Sequence, residues 1–238
     1  PGPGTPTPTP APTATPPPSG IRTLILTNRA QLTDIYGAGR VGPLLDRLVE
    51  FANHPVVQGE IIEVDGNSAV AAVYTAWNSQ QTDVAVANQV TSAIRGLALE
   101  YLTAHPTVQY IMLVGDDRVI PARRIKDRTG TPESAFTPVV SPDTTVGAAL
   151  AQDYFLTDDY YADREPTPWE GAELYVLDWA IGRLIETPEE IVGQIDAFLL
   201  SPEITIGTDT NRALVVGYDF VRDVAINVAE LLGGDLGN

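Results

Sequence analysis

Short apolar runs alternate with longer stretches of helical periodicity from residue 21 onward. The short runs consist of consecutive aliphatic and β-branched residues, whereas the longer stretches repeat apolar residues at steps of three to five. The predicted strands are Thr23–Thr27, Glu60–Val64, Tyr110–Val114, Glu173–Ile181 and Ala213–Gly217, and the predicted helices are Val41–Phe51, Asp83–Leu102, one that begins at Pro188, and Phe220–Leu232. Uniformly apolar strands that alternate with helices are typical of a parallel sheet covered on both faces. The pattern therefore predicts an α/β fold with three layers.

Two stretches interrupt this alternation. Residues 121–173 form a polar excursion that contains prolines, and we expect them to be loops. Regular structure then resumes, and Thr187 and Pro188 provide the N-cap and the first residue of a helix, with two glutamates at its positive end. After residue 232 the chain reads Gly-Gly-Asp-Leu-Gly-Asn where a further strand is expected, so we expect the second half of the fold to be incomplete.

Residues 1–20 differ in composition from all that follows. They hold nine of the 20 prolines and no charged residue. Because proline restricts the backbone and removes hydrogen-bond donors, this segment is predicted to be a disordered, extended linker. Such linkers tether a folded domain to a cell surface or to another domain, which favours an extracellular or cell-surface location; a tail without a role is the alternative.

The composition excludes several classes of function. The net charge is −17, which disfavours nucleic acid and anionic membranes as partners because both would be repelled. The sequence has no cysteine, so it holds no disulfide, no thiolate metal site and no cysteine nucleophile. No apolar run approaches the length of a membrane span. The two histidines, His54 and His105, each precede a proline at a predicted helix end, where an imidazole often caps carbonyl groups.

A glycine pattern raises the alternative of a nucleotide-binding α/β domain. Gly37–Gly42 matches the dinucleotide fingerprint, and Glu63 follows about 20 residues later. In that fingerprint the first glycine directly follows the first strand, but here the strand ends at Thr27. Pro43 also occupies the helical turn that should offer N–H groups to phosphate. The pattern is therefore interpreted as a glycine-rich loop, with nucleotide binding as a third hypothesis.

Carboxylates provide the candidate chemistry. Asp116 and Asp117 follow the third predicted strand, at the edge where parallel sheets build their sites. Four further aspartates crowd a tyrosine-rich stretch, and clustered loop carboxylates are typical ligands of Ca²⁺; they are Asp153, Asp158, Asp159 and Asp163. Solvated loop charges are the alternative, and no spacing singles out a pair of acids for glycoside hydrolysis.

Three segments in this order resemble the gingipain-like cysteine peptidases, family C25, which are relatives of the caspases. They are Tyr110–Pro121 (YIMLVGDDRVIP), Thr157–Asp163 (TDDYYAD) and Asp178–Ile191 (DWAIGRLIETPEEI). The resemblance covers roughly residues 21–238 and implies a caspase-like α/β architecture in two lobes. Residues 21–150 would form the first lobe, and residues 151–238 would begin the catalytic lobe. The catalytic histidine and cysteine of the family come later than any residue of this sequence.

The resemblance also implies roles for individual residues. Asp178 falls where gingipains place a glutamate that helps to orient the catalytic histidine, and aspartate is the shorter side chain. Glu189 and Glu190 fall near an acidic residue that resembles the substrate-binding anion of arginine-specific gingipains; ordinary helix N-terminal acids are the alternative. Gly182 and Arg183 are expected to be structural, with Arg183 pairing to nearby acids. Calcium is a trait of the family, so the resemblance supports Ca²⁺ at Asp158, Asp159 and Asp163.

The leading hypothesis is therefore that this sequence is the portion of a cysteine endopeptidase that precedes the catalytic histidine and cysteine. The whole enzyme would cleave polypeptides, and this portion alone is expected to be inactive. The alternative is a peptidase-like interaction module that never had a nucleophile. The residues that follow Asn238 would distinguish the two.

Overall fold

The computed structural model describes residues 20–135, 140–169, 171–200 and 226–227. In chain order, the strands are β1 (Thr23–Thr27), β2 (Gly59–Glu63), β3 (Tyr110–Val114), β4 (Arg123–Lys126), β5 (Tyr154–Thr157), β6 (Thr167–Trp169), β7 (Ala172–Leu174) and β8 (Ala180–Leu184). The helices are α1 (Arg29–Tyr36), α2 (Ala38–Asn53), α3 (Ser68–Trp77), α4 (Val84–Ala104), α5 (Thr145–Ala151), α6 (Asp159–Ala162) and α7 (Pro188–Leu200).

A four-stranded parallel sheet in the order β2-β1-β3-β8 forms the centre of the fold. All five residues of β1 are buried, and because successive side chains of a strand point to opposite faces, both faces of the sheet are covered. The core includes Leu24, Ile25 and Leu26 of β1, with Leu44 and Leu48 of α2. This arrangement confirms the predicted α/β class and is consistent with a caspase-like fold.

Side-chain caps fix where the helices begin. Asn28 accepts a hydrogen bond from the Gln31 N–H at 2.9 Å, and Asp83 accepts bonds from two N–H groups of the first turn of α4. The hydroxyl of Thr187 and the carboxylate of Glu190 form a capping box at the start of α7. Each of these caps directly follows a strand or a connecting turn, so the helix begins where that strand or turn ends.

Several predicted elements are confirmed. The strands Thr23–Thr27 and Tyr110–Val114 have the predicted bounds, and the strand predicted at Glu60–Val64 lies one residue earlier. The helix predicted to begin at Pro188 does so. Ala213–Gly217 and most of Phe220–Leu232 lie outside the described residues.

Two predicted stretches are wrong in part. Residues 121–173 are not all loops, because they contain β4 to β7, α5 and α6. The strand predicted at Glu173–Ile181 is divided: its first two residues belong to β7, and β8 begins only at Ala180. Between them the Asp178 N–H donates to the carbonyl of Ala162 and not to a neighbouring strand of the sheet.

The glycine pattern lies at a corner between two helices, not after a strand. Gly37 has a φ of 83° and separates α1 from α2, while the other residues of the pattern are helical. The interpretation as a glycine-rich loop is therefore wrong. The turn from strand to helix that the nucleotide hypothesis requires is also missing at this place.

The chain divides into two compact units, residues 1–199 and residues 200–238. Strand β8, from the predicted second lobe, pairs with β3 of the predicted first lobe within one sheet. A lobe boundary near residue 150 stays a prediction. None of the described helices is long and apolar enough to cross a membrane.

Candidate functional site at the carboxyl edge of the sheet

The turns that follow β3 and β8 meet at the carboxyl edge of the sheet, where parallel α/β folds build their sites. A cavity of about 330 Å³ lies between them. We call it the carboxyl-edge cavity, and its walls are Asp116, Asp117, Ala122, Leu156, Thr157, Asp158, Arg183, Ile185 and Glu186.

The Arg183 guanidinium connects the three walls of this cavity. Its Nε and Nη2 donate to the two carboxylate oxygens of Asp158 at 2.8 and 2.5 Å. Its Nη1 donates to the carbonyls of Gly115 at 2.9 Å and Ile120 at 2.8 Å. Burial opposes the charged guanidinium, but the hydrogen bonds and the negative charge of Asp158 outweigh it and raise the pKa of Arg183. The expected pairing of Arg183 with a nearby acid is confirmed.

A second buried ion pair fixes the turn after β3. Asp117 accepts hydrogen bonds from the Ala122 N–H at 2.9 Å and from Nη2 of Arg124 at 2.5 Å. The Arg124 side chain is only 1% exposed and lies against the ring of Trp77. Asp117 therefore holds the backbone of the turn and is already neutralised by its own cation.

Asp116 belongs to a more exposed network on the same turn. Its carboxylate accepts bonds from the Arg118 N–H at 2.8 Å and from the Arg118 guanidinium. The guanidinium of Arg118 also donates to the Tyr36 hydroxyl at 3.0 Å. Burial and the charge of Asp116 raise the pKa of Tyr36, which therefore stays protonated at neutral pH.

The model of peptidase family C25 matches residues 60–227, more than half of the chain. The chain belongs to peptidase family C25. No curated protein and no solved structure matches it at significant similarity. The three segments on which the resemblance rested are the same ones that Arg183 joins: the turn after β3, the Asp158 loop and the end of β8.

In this C25 chain, the two acids at the start of α7 are both engaged. The Arg40 guanidinium donates to the carboxylate oxygens of Glu189 at 2.8 and 2.5 Å, and these bonds lower the pKa of Glu189 to about 2. Glu190 accepts bonds from the N–H and the hydroxyl of Thr187, which lower its pKa. A substrate-binding role for either glutamate stays a prediction.

The four aspartates predicted to bind calcium have separate surroundings. Asp158 is bound to Arg183, Asp163 is buried and accepts from the Val176 N–H at 2.6 Å, and Asp153 lies 3.7 Å from the Lys126 ammonium. Asp159 begins α6. Among the described residues no group of three acids or histidines forms a metal-binding cluster. Calcium at these aspartates stays a prediction.

Asp178 lies at the other edge of the sheet. It precedes β8 by two residues, whereas Asp116 follows the paired strand β3 by two residues. The Asp178 carboxylate accepts a hydrogen bond from the Arg164 N–H at 2.7 Å. A histidine at the carboxyl edge would be separated from Asp178 by about the length of the strand, ~15 Å. Its orienting role stays a prediction.

The tyrosines beside these acids serve packing. The guanidinium groups of Arg95 and Arg123 both lie against the Tyr160 ring, at 4.8 and 4.4 Å from its centroid. The buried Tyr161 hydroxyl donates to the carbonyl of Pro121, and burial raises its pKa well above 10.0. The segment TDDYYAD thus fastens the loop before α6 to the turn after β3.

Glu186 was not singled out from the sequence. It lines the carboxyl-edge cavity and has a φ of 80°, a left-handed conformation that is strained for glutamate. Within the described part of the chain it forms no ion pair, unlike Asp116, Asp117 and Asp158. Its position two residues beyond the I-G-R-L strand end was the available signal.

The histidines lie at the ends of α2 and α4, as predicted. His105 Nδ1 lies 2.9 Å from the carbonyl of Tyr101, and the two rings stack. His54 Nδ1 instead accepts a bond from the Val56 N–H at 3.3 Å. Both imidazoles are thus engaged at helix ends.

Proposed function

We propose that this chain forms the supporting part of a cysteine endopeptidase site, to which residues beyond this 238-residue sequence contribute the catalytic histidine and cysteine. One observation carries the proposal: the three segments that resemble the gingipains meet at Arg183, on the walls of a cavity at the carboxyl edge of the sheet. The family match supports the same conclusion.

In this proposal the chemistry is acyl transfer from a peptide bond. A thiolate attacks the peptide carbonyl, an imidazole transfers the protons, and backbone N–H groups stabilise the oxyanion. The described residues hold the geometry of the site: the Arg183–Asp158 pair and the Asp117–Arg124 pair fix the turn after β3. Rigid support of this kind matters because small displacements of reacting groups cost large factors in rate.

Glu186 is the residue of the cavity most suited to contact a substrate. Asp116, Asp117 and Asp158 each pair with an arginine, whereas Glu186 forms no ion pair with the described residues and can accept a hydrogen bond from a substrate. The strained backbone at Glu186 supports a role beyond folding, since such conformations cluster at functional sites.

The test compares two purified proteins on a set of fluorogenic peptides: the 238-residue chain and the longest natural chain that contains it. The longer chain is expected to hydrolyse peptides and to lose activity with iodoacetamide, whereas the 238-residue chain is expected to be inactive. Hydrolysis by the 238-residue chain would contradict the proposed mechanism, because this sequence has no thiol.

The second candidate function is a peptidase-like interaction module, favoured by the absence of cysteine from the 238 residues. In the same experiment, a longer chain without thiol-dependent hydrolysis would support it. For either function, the uncharged Pro/Thr-rich segment supports attachment at a cell surface or secretion.

A further inference from the structure

The outer side of β2 is a second candidate surface, distinct from the carboxyl-edge cavity. Among the described residues β2 pairs with β1 alone, so one row of its backbone N–H and C=O groups has no strand partner. An unpaired strand edge is a template to which another extended chain can add. Helix α2 packs beside this strand and makes the edge one side of a groove.

The groove between α2 and β2, which we call the α2–β2 groove, is apolar at its centre. Gly42, Leu45 and Val49 lie at helical steps of three and four along α2 and face Ile61 of β2 across about 510 Å³. Val49 is 52% exposed, although it is an aliphatic residue beside a sheet. A side chain at Gly42 would meet nothing within 4 Å, so one end of the groove is open.

Carboxylates lie in the groove and on the opposite face of β2. Asp46 lies on the same helix face, and Glu60 is exposed on β2; neither forms an ion pair in the described residues. Among the described residues the Glu63 carboxylate pairs with Arg29 alone, at 3.5 Å and with both side chains exposed, which is a weak pairing. Because side chains of β2 alternate, Glu63 shares the α2 face with the groove while Glu60 points to the opposite face.

We propose that the α2–β2 groove binds an extended polypeptide segment in which basic residues alternate with aliphatic ones. Added beside β2, such a segment would place its aliphatic side chains against Leu45, Val49 and Ile61, and its basic side chains on the face of Glu60. Backbone hydrogen bonds to the free edge supply affinity, and charge complementarity supplies the preference for a cationic partner. A second copy of this chain is disfavoured, since two edges with these carboxylates and a net charge of −17 each would repel.

The test measures binding of a fluorescein-labelled peptide of about eight residues, alternating lysine and valine, by fluorescence anisotropy. Salt near 150 mM reduces long-range attraction to the acidic chain. Val49→Lys is expected to weaken binding about tenfold or more, because it places a charge in the apolar centre. Val56→Lys is the matched control: Val56 is also exposed, lies outside the groove and receives the same charge.

Two further peptides test the mode of binding. A peptide of alternating glutamate and valine is expected not to bind, and a lysine–valine peptide with N-methylated backbone is expected to lose binding, because it cannot pair with the edge of β2. Equal weakening by Val49→Lys and Val56→Lys would overturn the proposal and leave only long-range charge attraction. Undiminished binding of the N-methylated peptide, or no binding of the parent peptide at about 1 mM, would overturn it as well. None of these readouts depends on peptidase activity.

Discussion

Replacement of Arg183 by methionine is the sharpest test of how the carboxyl edge is held. The variant Arg183→Met keeps the aliphatic length but removes every donor to Asp158, Gly115 and Ile120. Asp158 would then be a carboxylate, 25% exposed, without its cation. Removal of one partner from a buried ion pair costs about 3–5 kcal/mol, and the partial exposure of Asp158 places our expectation near 3 kcal/mol.

This loss can be measured by urea unfolding, with the fluorescence of the fully buried Trp77 contributing to the signal. With a slope of about 2 kcal/mol per M urea, the midpoint should fall by about 1.5 M. A double-mutant cycle with Asp158→Asn isolates the interaction between the two side chains, and we expect a coupling energy of about 2 kcal/mol.

The Arg40–Glu189 pair provides the control for burial. It has the same two-bond geometry, but its side chains are 47% and 58% exposed. Exposed pairs contribute less than about 1 kcal/mol, so the cycle of Arg40→Met with Glu189→Gln should give a much smaller coupling energy. Equal coupling energies for the two pairs would refute the inference that burial makes the Arg183 pair a central support of the site.

Three further predictions concern titration and metal binding. The bonds from Arg40 hold the pKa of Glu189 at about 2, so any stability that this group contributes is present above pH 4.5, the usual pKa of glutamate, and is lost as the pH falls towards 2. Arg40→Met should return the pKa of Glu189 towards 4.5, which carboxyl NMR can follow. Because burial raises the pKa of Tyr161, the stability of the chain should fall as the pH rises above about 10. Tyr161→Phe should make that fall shallower, and the lost hydrogen bond to Pro121 should cost about 1 kcal/mol of stability at neutral pH. If calcium binds the aspartates around α6, millimolar Ca²⁺ raises the melting temperature of the chain and Asp159→Asn abolishes the rise; no rise in the unmodified chain would contradict calcium binding at these aspartates.

The centre of the sheet could be predicted because the sequences of two of its strands are apolar on both faces. In Thr23–Thr27 and Tyr110–Val114 that signal is continuous, and it specifies a strand with covered faces whatever surrounds it. Strand β4, with the sequence RRIK, has no such signal, because Arg124 is buried there only through its ion pair with Asp117. Strands β6 and β7 have three residues each, too few to show a period.

The site could be predicted only in part, for a similar reason. The family motifs marked Asp158 and Arg183, but residues 25 positions apart can be paired only once the sheet order is known. The acidic stretch suggested metal ligands because sequence alone does not show that Asp163 bonds to backbone and Asp158 to an arginine. Glu186 was missed because its distinguishing feature is a backbone angle.

In the proposed function, the Arg183 network supports a thiol-dependent peptidase site. The decisive measurement is peptide hydrolysis by the longest natural chain that contains these residues, compared between the unmodified protein, Arg183→Met and Arg47→Met, a control on α2 whose partners are Glu50 and Asp196. We predict activity that iodoacetamide abolishes, a kcat lowered about tenfold or more by Arg183→Met in protein that remains folded, and no such loss in Arg47→Met. A long chain without thiol-dependent hydrolysis, or a folded Arg183→Met variant with unchanged kcat, would contradict the proposal.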